Sequence, residues 1–186
     1  MKPMPASPKE RRERLRAVLG ANPFLSDGRL ARHFGVSVQT IRLDRMALGI
    51  PDQRTRVKEM AERAYGRLKS MGQAEVVGEL IDLELGKSAI SALEITPEMA
   101  FQRTGIARGH YIFAQADSLA IAVIDAENVV TGIANLKFKR RVRVGEKLIA
   151  KATVIREKGN KSVVLVETRS GGEEVFRGKF LVFALE

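Results

Sequence analysis

Short apolar stripes with helical spacing, separated by breaks in that spacing, mark the N-terminal part of the chain. The first stripe passes through Leu15 and Leu19 and follows Ser7-Pro8. That pair favours a helix start, because serine can accept from free N–H groups and proline at the first helical position has no N–H to leave unpaired. Asn22-Pro23 interrupts the spacing and Ser26-Asp27 restarts it. The pattern predicts two short helices joined by a turn.

A third helix is predicted after Gly35, which can supply a tight turn, and its buried face should contain Ile41 and Leu48. Two short helices joined through a glycine turn are typical of a helix-turn-helix, whose second helix can present side chains to base edges and phosphates in the major groove. Several residues fall away from the apolar stripe, and we predict that they bind DNA: Ser37, Gln39, Thr40, Arg42 and Arg45. A three-helix segment of this kind can also serve protein contacts alone.

Residues 53–71 have apolar positions at the helical period, with basic residues on the remaining faces, and predict an amphipathic linker helix. The basic set is Arg54, Arg56, Lys58, Arg63, Arg67 and Lys69. Two interpretations follow. Either the helix packs permanently on the C-terminal part, or its apolar stripe docks in more than one place and transmits a ligand state to the DNA-binding segment.

From Glu75 onward the pattern changes to the alternation that is typical of β-strands with one covered face. The segment from about His110 to Ile124 is instead apolar on all sides, which predicts a buried helix. One long buried helix enclosed by about six mostly antiparallel strands is the hot dog architecture, which typically binds acyl thioesters of coenzyme A or acyl carrier protein. The free N–H groups at the start of such a helix can hold a thioester carbonyl.

Charge separates the two parts of the chain further. The 186 residues have a formal net charge of +10. Residues 1–70 contain 16 Lys and Arg against 7 Asp and Glu, whereas residues 71–186 contain 16 against 15. A basic N-terminal part favours binding to a polyanion such as DNA, because neutralising phosphates releases counterions. A basic surface can also simply aid solubility.

The composition excludes several kinds of site. There is no cysteine, which excludes disulfides and thiolate metal sites. The two histidines, His33 and His110, belong to no Ser/His/Asp set and no metal-ligand spacing, and there is no phosphate-binding glycine loop. The sequence predicts no metal, no cofactor and no catalytic residue. No apolar run approaches the ~18 residues of a membrane span, and no secretory segment opens the chain, so we expect a soluble, cytoplasmic protein without membrane contact.

Longer segments carry a specific resemblance: VSVQTIRLDR and IPDQR in the N-terminal part, then GELIDLEL, AISALEIT, MAFQRTGIARGHYIFAQA and VFRGKF. In this order, over nearly the whole chain, they resemble the fatty acid and phospholipid biosynthesis regulator family, FapR. With the pattern above, the resemblance implies an α+β chain with an all-α, winged-helix-like helix-turn-helix domain of DeoR type at 1–52, a linker helix at 53–71 and a hot dog domain at 72–186. It also implies a homodimeric repressor of lipid-synthesis operons, released from DNA by malonyl-CoA or malonyl-acyl carrier protein.

The resemblance also implies a ligand site. The family's arginine that meets the malonyl carboxylate corresponds to Arg108, with Gly109 beside it at the helix start, and Phe101 matches a phenylalanine that lines the thioester pocket. The chemistry agrees, because a planar guanidinium suits a carboxylate and stays charged at physiological pH. Without the resemblance, Arg108 would be interpreted as a surface arginine next to a loop glycine.

Asp117 departs from the family pattern, which has asparagine at this position of the helix. An ionised aspartate cannot donate a hydrogen bond to a ligand carbonyl and would repel a second carboxylate. Three hypotheses remain open: Asp117 shares the ligand slot with Arg108 and is neutralised by it, burial keeps Asp117 protonated, or the ligand binds differently. A carboxylate here also supports a competing hypothesis, a hot dog acyl-CoA thioesterase with an attached DNA-binding domain and Asp117 as its catalytic carboxylate.

Overall fold

The structure, a computed structural model, describes residues 7–186. The chain divides into two compact units between Met60 and Ala61, inside the segment predicted as a linker. The predicted domain limits at 52 and 71 remain predictions. The first six residues of the predicted helix-turn-helix domain lie outside the described part. From residue 7 onward, no helix is both long and apolar enough to cross a membrane.

The described part of the first unit is helical, as predicted. Its helices are α1 (Pro8–Ala21), α2 (Asp27–Phe34), α3 (Val38–Ala47) and α4 (Gln53–Tyr65), of which α4 continues past the division into the second unit. Ser7 caps α1 in a reciprocal capping box with Glu10, and Gly35 ends α2 with a φ of 65°, so both predicted boundary signals are confirmed. A small apolar cluster around Leu15, Leu30 and Ile41 packs the helices together.

Buried charge joins α1 to α3. Asp44 is only 2% exposed and accepts from Arg11 Nε at 2.5 Å and Arg12 Nε at 2.9 Å. Burial would raise the pKa of the Asp44 carboxyl, but the hydrogen bonds from the two arginines outweigh it and leave the pKa lowered. The Asp44 carboxylate and the two arginines therefore link α1 to α3 within the first unit.

Arg56 fixes the start of α4 to the rest of the first unit. It is buried, and its guanidinium donates to the backbone carbonyls of Pro23 at 3.1 Å, Leu25 at 2.8 Å and Pro51. Arg56, predicted on one of the basic faces of the linker helix, is thus buried among three main-chain acceptors.

From Glu79 onward, the second unit is one long helix against one antiparallel sheet. The strands are β1 (Glu79–Glu84), β2 (Ser88–Glu94), β3 (Asn128–Phe138), β4 (Lys147–Lys158), β5 (Lys161–Ser170) and β6 (Glu173–Leu185), in the order β1-β2-β4-β5-β6-β3, with α5 (Gly109–Ala122) between β2 and β3 in sequence. All five strand pairs are antiparallel. The predicted strand number and the single long helix are confirmed.

The sheet encloses α5 because small apolar residues occupy its inner sides. Ala116, Leu119 and Ala120 are fully buried, and alanine lets the helix backbone approach the inward side chains of the strands, such as Val164 and Phe180. This packing fixes the start of α5 next to the end of β3. The candidate ligand groove lies at that place.

Candidate functional site

The outward side of α3 carries part of the predicted DNA-binding set. Gln39 and Arg42 are exposed. Ser37 caps α3, since its Oγ accepts from the Thr40 N–H at 3.0 Å and lies 2.9 Å from Thr40 Oγ1. The two hydroxyls thus lie at the N-terminus of α3, a position where backbone N–H groups attract phosphate.

Arg45 does not belong to this outward surface. It is 8% exposed, its Nε and Nη2 donate to the two carboxylate oxygens of Asp27 at 3.1 Å each, and its Nη1 donates to the Ile50 carbonyl at 2.8 Å. The prediction that Arg45 faces DNA is wrong. Arg45 follows Ile41 by four positions, about one helical turn, so it shares the buried side of α3.

Sequence reasoning missed two residues of the outward side, Leu43 and Met46. They are 56% and 71% exposed. Their spacing was a usable signal, because Leu43 lies four positions after Gln39 and Met46 four after Arg42, which places all four on one side of a helix.

An apolar groove of about 400 Å³ opens beside the start of α5. Its lining residues come from the segment before α5, from α5, from the end of β3 and from the segment after β3: Ile106, Ala107, Gly109, Ile112, Phe138, Arg140, Arg141 and Val142. Arg108 is the N-cap residue of α5, and no side chain caps the free N–H groups of the first turn. These N–H groups carry the positive end of the helix dipole. A carbonyl or anion in this end of the groove is therefore stabilised by the start of α5.

Arg108 is held in place by neighbours other than Asp117. Its Nη2 donates to the Glu98 carbonyl and to Tyr111 Oη at 3.2 Å, and its guanidinium carbon lies 5.1 Å from the centre of the Tyr111 ring. The Nε is buried and has no hydrogen-bond partner in the described residues. A fixed guanidinium with an unused donor is suited to an anionic ligand group.

Gly109 lies against the ring of Phe138. A Cβ on Gly109 would lie 3.2 Å from Phe138 Cζ, so a larger residue would require this ring to shift by a few tenths of an ångström. Phe138 was not among the predicted site residues. Its signal is the segment KFKRRVRV, in which a phenylalanine stands inside a basic run at the end of a strand.

Two of the three arginines in this run, Arg140 and Arg141, differ in their contacts. Arg140 donates to both carboxylate oxygens of Glu146, at 3.2 and 2.9 Å, whereas Arg141 is exposed. The hydrogen bonds from Arg140, with smaller contributions from Ser170 and the Arg143 N–H, lower the pKa of Glu146 to about 2. Arg140 therefore braces the groove, and Arg141 remains accessible at its rim.

Phe101 stands apart from the groove lining. Its ring is 56% exposed, in a turn closed by hydrogen bonds from the Phe101 N–H to the Ile106 carbonyl at 2.9 Å and from the Gly105 N–H to the Phe101 carbonyl at 2.8 Å. The structure places Gly109 in the groove lining and Arg108 directly before it as the N-cap residue of α5, and the part predicted for Phe101 stays a prediction.

Asp117 does not share a slot with Arg108. It accepts a hydrogen bond from Thr131 Oγ1 at 2.7 Å. Nine residues along α5 correspond to about 13 Å of rise and two and a half turns, so Asp117 and Arg108 project from opposite sides of the helix. The hypothesis that Arg108 neutralises Asp117 is wrong for this reason, and Thr131 is the partner that sequence reasoning missed.

Known proteins resemble the chain over both units. Residues 106–176 match the family model of the Thioesterase superfamily. The transcription factor FapR of Caldanaerobacter subterraneus subsp. tengcongensis is 55% identical over 177 residues, which cover 95% of this chain and 88% of that protein. The chain belongs to the FapR family. FapR of Bacillus subtilis is 49% identical over 175 residues, which cover 92% of this chain and 93% of that protein.

A solved structure supports the fold assignment. The uncharacterized protein PH1136 from Pyrococcus horikoshii superposes with a TM-score of 0.59 and 34% identity, over 64% of this chain and 92% of that one. With the Thioesterase superfamily match, this confirms the hot dog architecture. The FapR chain is a transcriptional regulator built on a fold that it shares with thioesterases.

Proposed function

We propose that this FapR protein represses genes of fatty acid and phospholipid synthesis, and that malonyl-CoA or malonyl-acyl carrier protein releases it from operator DNA. The observation that carries the proposal is the state of Arg108, fixed beside the start of α5 with a buried, unpartnered Nε. Because Tyr111 and the Glu98 carbonyl already order the guanidinium, little rotamer freedom remains to be lost when a carboxylate binds.

The groove supports a thioester in a defined direction. The malonyl carboxylate meets Arg108, the thioester carbonyl meets the free N–H groups of α5, and the pantetheine arm follows the apolar wall past Phe138. Arg141 at the rim offers a cation to the phosphate groups of coenzyme A. Gly109 lets the Phe138 ring lie close to the start of α5.

Operator binding is assigned to α3 in a homodimer built through the second unit. β3 pairs with β6 on one side only, which leaves its other edge open within the described chain, and Ile133 on this strand is exposed. An edge strand with exposed apolar residues favours pairing with a second copy. A two-fold dimer presents two α3 helices to a symmetric operator with two half-sites.

Calorimetry with malonyl-CoA and acetyl-CoA tests the ligand assignment, because the two differ by one carboxylate. We expect malonyl-CoA to bind about tenfold to a hundredfold more tightly, as roughly 1.5–3 kcal/mol for a hydrogen bond to a charged group implies. Arg108→Ala should remove this preference, and Arg103→Ala, which changes an exposed arginine of the preceding turn, should keep it. Equal affinities in the wild type would contradict the proposal.

Gel shifts on the same proteins test release from DNA. Linkage requires that malonyl-CoA weaken operator binding by the factor by which operator weakens malonyl-CoA binding. We expect wild type and Arg103→Ala to leave the operator as malonyl-CoA is added, and Arg108→Ala to stay bound. Release of Arg108→Ala at wild-type concentrations would overturn the residue assignment.

A second candidate function is thioester hydrolysis, which the Thioesterase superfamily match and the half-buried Asp117 favour. A thiol-release assay with malonyl-CoA separates it from sensing. Turnover that Asp117→Asn abolishes would establish a thioesterase. Absence of turnover in the wild type would exclude hydrolysis of malonyl-CoA and leave transcriptional regulation as the function.

A further inference from the structure

The outward side of α3 combines polar and apolar chemistry. At about 100° per residue, Gln39, Arg42, Leu43 and Met46 fall on one side of the helix, opposite the buried Ile41. In the described first unit, the large apolar side chains that are strongly exposed all belong to this helix: Val38, Leu43 and Met46. Exposed apolar residues concentrated on one helix indicate a contact surface.

The neighbouring charges identify the occupant. Arg42 lies on the same side as Leu43 and Met46 and is mostly exposed, and the first 70 residues of the chain carry a net positive charge. A basic surface complements the phosphates that flank a DNA groove. Inside the major groove, the apolar group that bases offer is the C5-methyl of thymine, which distinguishes thymine from cytosine.

We propose that Leu43 and Met46 determine part of the operator sequence by packing against thymine methyl groups in the major groove. Gln39 and Arg42 on the same side make the polar base or phosphate contacts. The inference depends on DNA binding by α3 and is independent of the thioester ligand. The proposed DNA-contacting surface is therefore partly apolar and does not include the buried Arg45.

Removing single thymine methyl groups from the DNA tests the proposal without altering the protein. An operator is first selected from random duplexes with the full-length wild type. Each thymine of one half-site is then replaced in turn by deoxyuridine, which lacks only the methyl, and binding is measured by fluorescence anisotropy at fixed salt. We expect about fourfold weaker binding at one or two positions, the equivalent of about 0.8 kcal/mol for one buried methyl-sized group.

Variants assign each methyl to its side chain. Leu43→Ala should remove the uracil effect at one position, and Met46→Ala should remove it at another. Leu43→Met keeps an apolar side chain and should retain the effect, whereas Gln39→Ala should weaken binding to both the thymine and the uracil duplex equally. Because the substituted residues are exposed, folding can be matched by circular dichroism before comparison.

Two results would overturn the proposal. One is a wild-type protein that binds every uracil duplex as tightly as the thymine duplex; a change of oligomeric state in Leu43→Ala would then assign these residues to a protein contact. The other is a uracil effect that persists unchanged in both Leu43→Ala and Met46→Ala. A failure of malonyl-CoA to bind would leave this inference intact and would contradict only the ligand proposal.

Discussion

The carboxylate Asp44 lies in the interior of the first unit between two arginines, whereas the interior of the second unit around α5 is lined mainly by alanine, leucine, valine and phenylalanine. In the described residues, the apolar cluster of the first unit has five buried members and that of the second has 24. A unit with so small an apolar core needs further cross-links, and here buried arginines supply them.

This difference changes how basic residues are interpreted. Arg11, Arg45 and Arg56 all contribute to the charge that favours DNA binding, yet each is committed to an internal carboxylate or carbonyl. Arg42 remains largely exposed. Net charge therefore indicates the kind of partner, while burial decides which arginines can reach it.

The largest effect is expected for Asp44→Ala. It leaves Arg11 and Arg12 without their shared carboxylate in a partly buried position, which should lower the free energy of unfolding of the first unit by about 3–5 kcal/mol. Scanning calorimetry of the full chain should show one transition shifted and the other unchanged. Glu13→Ala, an exposed carboxylate on the same helix as the two arginines, is the control and should shift neither.

Arg45→Ala and Arg42→Ala should separate stability from binding. Arg45→Ala removes two hydrogen bonds to Asp27 and one to Ile50, so it should cost about 1.5–3 kcal/mol in urea unfolding. Arg42→Ala should leave unfolding within about 0.5 kcal/mol and weaken operator binding about tenfold or more. Normal stability with lost binding in Arg45→Ala would reverse our assignment of the two residues.

Acid should weaken the second unit through Glu146. Its folded pKa of about 2 lies below the ordinary value of 4.5, so its contribution is present above about pH 5 and is lost as pH falls towards 2. Glu146→Gln should cost about 1–2 kcal/mol at pH 7 and flatten the acid dependence of the second-unit transition. Glu173→Gln, the more exposed partner of Arg140, should keep the wild-type profile. An unchanged acid limb in Glu146→Gln would contradict this account.

The smallest effect is expected for Asp125→Asn. Asp125 and Lys69 are 2.6 Å apart, and both are about half exposed, so solvent screens their attraction. Unfolding free energy should fall by less than about 1 kcal/mol. A loss as large as that of Asp44→Ala would remove the distinction between surface and buried ion pairs on which the comparison depends.

The sequence predicted elements better than partners. A segment that is apolar on all sides predicted α5, because an exposed helix would have a polar face. Ser7 predicted the start of α1, and Gly35 predicted the end of α2. Arg45 differs from its prediction because it lies one helical turn after Ile41, on the buried side of α3. A buried arginine requires a specific acceptor, and Asp27 on another helix is not visible from local spacing.

The candidate site shows the same limit. Arg108 and Gly109 were placed correctly at the start of one helix, since their position depends on local sequence. Thr131 and Phe138 come from β3, and their contacts with α5 depend on strand register and helix packing that no local pattern encodes. Tyr111, three positions after Arg108, was within reach of a spacing argument.

The proportion of polar and apolar surface inside each unit also governs its heat capacity. Apolar surface exposed on unfolding raises the heat capacity and polar surface lowers it. The first unit, with Asp44, Arg45 and Arg56 in its interior, should unfold with a smaller heat-capacity change per residue than the second. Its stability curve is therefore flatter, and cooling removes relatively more of the hydrophobic stabilisation from the unit that encloses α5 than from the unit that contains α3.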